Sequence, residues 1–443
     1  MVTALMRGSA VAVRGVPVAP RLYVSSSLRQ SGPRVSRKDY LFMFVIVWAL
    51  SGNTIINSVY KPALSVIALA ALVLLSVIRP TFSVRAFSIF LGFAAIIVGQ
   101  VDSTGYISPV TIAGFFTNLT IAMSAVLLVR NSAKAYVDIM FWTAAISLPV
   151  YALLIASQGA LAQWVVPFYL NPPDANILIH YFHPHHLRQN NSYYWEPGVF
   201  AGYLVLSLVF LGAIKSQYSP MRYKLVLFIL VAALVTTFST SGYLLGALAL
   251  LYHTQAFGRS LVRPILISFG VIGVAVIFMN TSFLYSKISN EYIQVNSQQA
   301  DWQLTRMGGM KSDWEQIKMQ PFFGWGPNPE IRFQFVSENI LKYQGNGLTD
   351  FTAKFGFCGL ALFLTTTYMG FTCLFNGHGW RTLLALAITT LSLNGECFLI
   401  FPLYMMLMFQ RTPVEVVHKR YRGRASSRVD LALNDPRRLV LSR

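Results

Sequence analysis

Residues 188–214 read RQNNSYYWEPGVFAGYLVLSLVFLGAI. An arginine, an aromatic cluster and a carboxylate stand at the mouth of a long apolar segment that begins at Pro197. Charge at a bilayer boundary is costly unless it has a partner or a task. Arg188 and Glu196 therefore mark a candidate site at the entrance of a membrane span.

The rest of the chain repeats the apolar theme. It has 443 residues, 55% of them hydrophobic and only 12% charged, with a mean hydropathy of +0.53. A soluble domain carries roughly twice that charged fraction. Apolar runs of spanning length, roughly 17–25 residues, recur at about 40–58, 62–78, 84–100, 108–129, 136–157, 197–214, 223–240, 242–258, 263–281, 348–375, 380–394 and 398–410. The pattern predicts an all-α polytopic membrane protein with about twelve spans. The last two runs are short, and read either as one long helix or as a broken pair around Asn394-Gly395-Glu396. A membrane barrel would show weak alternating segments instead.

The net charge of +19 invites a nucleic-acid reading, but its placement argues against one. The basic residues gather in the tails, residues 1–39 and 411–443, and in short loops between apolar runs. That is the positive-inside pattern, with attraction to anionic lipid headgroups. It predicts both tails in the cytoplasm, flanking a membrane domain at 40–410, with no nucleic-acid partner. The first 38 residues have no acidic residue; a transit peptide or a cytoplasmic tail fits, and no cleavable secretory signal is expected before the first span. Cys358, Cys373 and Cys397 read as small hydrophobes without metal-ligand spacing.

On this topology two long segments fall outside, at about 158–196 and 281–347. Loops of that length in a compact protein are usually functional. The first holds His180, His183, His185 and His186, a spacing that zinc ligands share; without an adjacent acidic or Cys partner, a polar loop with local histidines is the expectation, and no metal or other cofactor is predicted. Arg188 and Glu196 form a structural ion pair, or Arg188 captures an anion while Glu196 serves as general base or support. Tyr194 and Trp195 read as interfacial belt residues or as a sugar-stacking platform. Ser239 and Ser241 sit in a hydroxyl-rich turn between spans, suited either to the turn itself or to a ligand rim. In the second loop Arg306 and Lys311 read as a solvated helix surface or as a second cationic arm. Gly324 and Gly326, in Gly-Trp-Gly-Pro, mark a turn that lets backbone approach a ligand closely.

Taken in order, these residues resemble the bacterial O-antigen ligase/polymerase family. The pattern runs from Arg188 through Glu196-Pro197-Gly198-Val199-Phe200-Ala201, then Ser239-Thr240-Ser241-Gly242-Tyr243, then Arg306, then Pro321-Phe322-Phe323-Gly324-Trp325-Gly326, then Asn346-Gly347 and Gly356-Phe357-Cys358-Gly359. The resemblance covers roughly residues 185–370. It implies a GT-C-like glycosyltransferase with a long, partly helical extracytoplasmic loop, acting at the outer face of the inner membrane on glycans carried by undecaprenyl diphosphate. It implies metal-independent transfer, driven by loss of the lipid diphosphate. Glu196, Arg188 and Arg306 would carry the catalysis, and Tyr194, Trp195, Ser239, Ser241, Lys311, Gly324, Gly326 and Asn346 would bind substrate. A flippase and a chain-length regulator are the implied partners besides membrane lipids. One departure matters. The ligase branch carries a His in the second outer loop, whereas no His lies between His253 and His378 here. That shifts the expectation to a polymerase of lipid-linked repeat units in exopolysaccharide or O-antigen synthesis. A ligase transferring glycan to a lipid or protein acceptor is the alternative. A lipid-linked glycan flippase is the alternative of another class, but it should show paired broken-helix repeats, which the sequence lacks.

Overall fold

The computed structural model describes residues 35–51, 83–106, 108–164, 175–176, 180–182, 188–253, 305–332 and 346–411, with isolated positions elsewhere. The expected spans at 62–78 and 263–281 lie outside the described residues, as do the greater parts of both basic tails.

Helix starts are written locally. Helix α1 (Arg37–Ala49) opens with a capping box between Ser36 and Asp39. Three helices follow: α2 (Val84–Thr104), α3 (Pro109–Leu128) and α4 (Ser132–Ala156). Then come α5 (Pro197–Ala213), α6 (Pro220–Thr236) and α7 (Thr240–Leu250). Proline at the first turn of α3, α5 and α6 presets φ where its missing N–H costs nothing. The last group is α8 (Arg306–Met319), α9 (Gly347–Leu374) and α10 (Gly379–Leu393). After α10 the chain turns at Asn394–Glu396 into short helical turns ending at Phe409. The broken-pair reading of the last apolar stretch is therefore the observed one.

Among the described residues, α2, α3, α4 and α9 are long and apolar enough to cross a membrane, and α5, α7 and α10 are shorter apolar helices. The chain is a predominantly helical membrane protein. The departure from all-α is a two-residue antiparallel pairing of β1 (Ala175–Asn176) with β2 (Tyr181–Phe182).

Helix α5 is the centre. Every residue from Val199 to Leu211 is buried, as expected for a helix apolar all round. It packs against α4, α6, α7 and α10. Its start is ringed by aromatic side chains: Tyr194 stacks on Phe200 and tilts against Tyr203, whose ring meets Phe398. On another side α9 packs against α2, α8 and α10.

Helix α9 is broken at Gly356, whose φ of 65° and ψ of −176° interrupt the helical hydrogen-bond ladder. The Gly-Trp-Gly-Pro turn after α8 repairs the break. Trp325 N–H donates to Ala353 O and Gly326 N–H to Lys354 O, both at 2.9 Å. In return Phe357 N–H donates to Pro321 O at 2.7 Å and Cys358 N–H to Phe322 O at 3.1 Å. The Gln100 side-chain amide from α2 donates to Phe323 O and Lys354 O, each at 2.7 Å. A Cβ at Gly356 would overlap Phe322 O, and one at Gly324 would lie 2.6 Å from Gly356 N. Both glycines have positive φ. The close approach expected of this turn was to a ligand; the backbone it meets here is that of the broken helix.

Candidate functional site

Three helix N-termini converge on the turn after α10. Glu196 is the N-cap of α5. Ser239 is the N-cap of α7, accepting from Gly242 N–H at 3.2 Å. Asn346 is the N-cap of α9, accepting from Leu348 and Thr349 N–H at 3.1 Å each. The contacts that gather them are tight. Gly395 lies against Ser241, with its Cβ position 3.3 Å from Oγ, and Gly347 presses on the Glu396 carbonyl. The Asn346 amide donates to Asn394 Oδ1 at 3.3 Å. Each N-terminus carries partial positive charge from unpaired N–H groups, so their junction favours an anion.

The anion present there is Glu396. Its carboxylate sits beside Gly198 in the first turn of α5, where a Cβ would crowd Oε1 at 2.5 Å. Arg306, the first residue of α8, reaches into the same place. Its Nη2 donates to Glu196 Oε1 at 3.1 Å and also to Glu396 Oε1. Side-chain exposure is 27% for Arg306 and 32% for Glu196, against 9% for Glu396. One guanidinium thus serves two carboxylates from different parts of the chain, at a position that solvent still reaches.

Arg306 and Glu196 are brought together as direct partners. Arg188 is not paired with Glu196. Its guanidinium is exposed and makes no ion pair among the described residues; its carbonyl accepts from Tyr151 at 3.2 Å. The ion-pair reading of Arg188 with Glu196 is corrected because α8 delivers Arg306 to that carboxylate instead. Tyr194 is fully buried, bonded to Tyr193 and near the Met140 sulfur; it offers no face to a ligand, so its assignment as a substrate-binding residue is corrected to a core role. Trp195 is half-buried against Phe401. Lys311 is exposed on α8. Ser239 and Ser241 share a hydrogen bond at 3.2 Å beside the cluster. Gly324 and Gly326 are occupied with the α9 break. Of the histidines, His180 is buried against Phe182, and burial pulls its pKa down to about 4; His183, His185 and His186 lie outside the described residues.

Two sets of residues escaped sequence reasoning. Glu396 was visible only as a carboxylate inside an apolar stretch, which is itself a functional signal. The other set is a second charge cluster. Arg332, with no exposed side-chain area, ion-pairs with Asp313 of α8 and Asp350 of α9 and also bonds Gln316. Lys354 completes the network on Asp350 at 2.7 Å. Burial raises the Asp313 pKa to about 6, with the Arg332 charge opposing. This network pins α8 to α9 and so fixes where Arg306 points.

Residues 225–364 match the family model described as O-Antigen ligase. Over these residues the chain is similar to the O-antigen ligase family. The match starts within α6 and ends within α9, so this ligase/polymerase-like segment contains Arg306, Ser239, Ser241 and Asn346 but neither Glu196 nor Glu396. No curated protein matches the chain.

Proposed function

We propose that this protein is a polysaccharide polymerase. It joins oligosaccharide repeat units carried on undecaprenyl diphosphate, in exopolysaccharide or O-antigen synthesis, at the outer face of the inner membrane. The single observation that carries this is the Glu196–Arg306–Glu396 cluster at three converging helix N-termini. A lipid diphosphate is dianionic and sits at headgroup level, where such a site competes with water for it.

In the transfer, the bond between the sugar anomeric carbon and the diphosphate oxygen breaks while the acceptor hydroxyl oxygen bonds to that carbon. Arg306 stabilises the negative charge that develops on the leaving diphosphate. Glu196 or Glu396 takes the acceptor hydroxyl proton as general base. The diphosphate that binds Arg306 displaces a carboxylate from it, so donor binding itself frees the base. Arg188, exposed and eight positions ahead of Glu196, supplies the second cationic arm from the first loop. Lys311 extends the positive surface along α8, and Trp195 offers a partly exposed ring for stacking. A flippase to deliver the units and a chain-length regulator complete the assembly, with about twelve GT-C-like spans and both tails cytoplasmic.

Transfer to a lipid or protein acceptor by a ligase is the second reading, favoured by the family description. The missing second-loop histidine favours polymerisation. The test is Arg306→Ala and Arg188→Ala in the producing host, scored for polymer length. Loss of one anion-stabilising donor at Arg306 is expected to slow transfer by about 10²–10³-fold, leaving single repeat units. Unchanged long polymer in both variants overturns the proposal, and loss of capped acceptor without loss of polymer points to the ligase.

A further inference from the structure

One residue past Glu396 the wall of a second space begins. Between the first three turns of α3 and the first three turns of α9 lies a cavity of about 370 Å³. That is at the lower end of the roughly 300–1,000 Å³ usual for small-molecule sites. Phe115, Phe351 and Phe355 give it an aromatic wall, with centroids 4.6 Å apart for Phe115–Phe355 and 4.9 Å for Phe351–Phe355. Asp350, Lys354 and Asn118 give it a polar, charged one. It also touches Cys397 and Gly347, the neighbours of Glu396 in sequence and in space.

We propose that this cavity is the acceptor subsite, holding one neutral sugar ring of the incoming glycan; this rests on the glycan-transfer reading above. A pyranose has both surfaces that the wall asks for. Its C–H faces cover aromatic rings, and its hydroxyls bond the polar groups. Asp350 accepts from Arg332 and Lys354, two of the roughly four lone-pair sites a carboxylate offers, so it still takes hydroxyl donors. A polyisoprenyl chain would desolvate the Asp350–Lys354 pair and return no hydrogen bond. A diphosphate would meet one lining cation, Lys354, that is already paired with Asp350.

Gly114 adds an independent sign. It lines the cavity, and no atom lies within 4 Å of where its Cβ would be. Glycine inside a helix is destabilising by roughly 0.5–1 kcal/mol relative to Ala, and neither packing nor a positive φ requires it here. The residue that would begin to fill the space is left out.

The test uses the full chain in nanodiscs, with lipid-linked repeat unit as donor and the free repeat-unit oligosaccharide as added acceptor. Gly114→Leu fills the cavity, and Asn118→Leu is a second variant should the first melt early. The acceptor KM is expected to rise at least tenfold, with the donor KM within twofold. An unchanged acceptor KM in a folded variant overturns the subsite. A raised donor KM with unchanged acceptor KM also overturns it, because the cavity then houses the carrier. Arg306→Ala in the same assay separates the two claims: full transfer by that variant sinks the glycan-transfer reading whatever the cavity does.

Discussion

Two arginines of the same stretch, Arg306 and Arg332, each meet two carboxylates, yet they sit in opposite physical situations. Arg332 is enclosed and its partners balance: Asp313 and Asp350 against Arg332 and Lys354. Arg306 is partly open, and among the described residues it meets two carboxylates, Glu196 and Glu396. A buried, balanced network holds helices in register, since breaking it strands a charge. A partly exposed one can exchange a partner for a ligand. Counting ion pairs would not separate them; exposure does.

Four experiments press on that contrast. The largest effect is expected from Arg332→Ala, which strips the cation from buried Asp313 and leaves Asp350 with Lys354 alone, at a cost of about 3–5 kcal/mol. Melting in detergent should fall sharply, whereas Arg306→Ala should melt close to wild type; equal melting losses would erase the distinction. Next come Glu196→Gln and Glu396→Gln, assayed separately. Whichever carboxylate is the base should lose about 10²–10⁴-fold in rate, with the pH–rate profile losing its limb. If neither variant slows transfer, the proton goes elsewhere.

An effect of at least about 1–3 kcal/mol from the glycine conformation alone, with the overlap on Phe322 O added to it, is expected from Gly356→Ala. It should lower the melting temperature while Gly114→Ala does not, which separates a glycine the backbone requires from one it does not. The smallest is the pH response. The folded pKa of Asp313 is raised to about 6 from 3.8, so the native state keeps a proton the unfolded chain has released. Its contribution is full below about pH 4 and is lost as pH rises to 6. His180 is shifted down, from 6.5 to about 4, so its contribution is present above 6.5 and lost as pH falls. Between pH 4 and 6 the two oppose each other, each by at most about 1.4 kcal/mol per pH unit. In His180→Leu the net trend on acidification from 6 to 4 should shift toward stabilisation; an unshifted curve would show that His180 does not stay neutral in the fold.

Much of this was legible in the residues. The apolar runs at 84–100, 108–129, 197–214 and 348–375 became α2, α3, α5 and α9 with shifts of a few residues, because apolar spacing and caps are local. The pairing of Glu196 was misread for a related reason. Arg188 is its neighbour in sequence, but the chain is extended at Glu196, and Arg306 arrives from 110 positions away. Tyr194 was equally opaque: a tyrosine next to a span suits an interface or a core, and only packing against Phe200 and Tyr203 decides.

By itself the sequence determined that the chain lives in a membrane, where its apolar helices begin, and which polar residues are too costly to be idle. Each of those follows from transfer energies and local hydrogen bonding. The tertiary structure alone decided that Glu196, Arg306 and Glu396 share one place, that Arg332 is locked away, and that Gly114 borders a space. Those depend on how helices distant in sequence pack, and hydropathy along a chain carries no record of which face meets which.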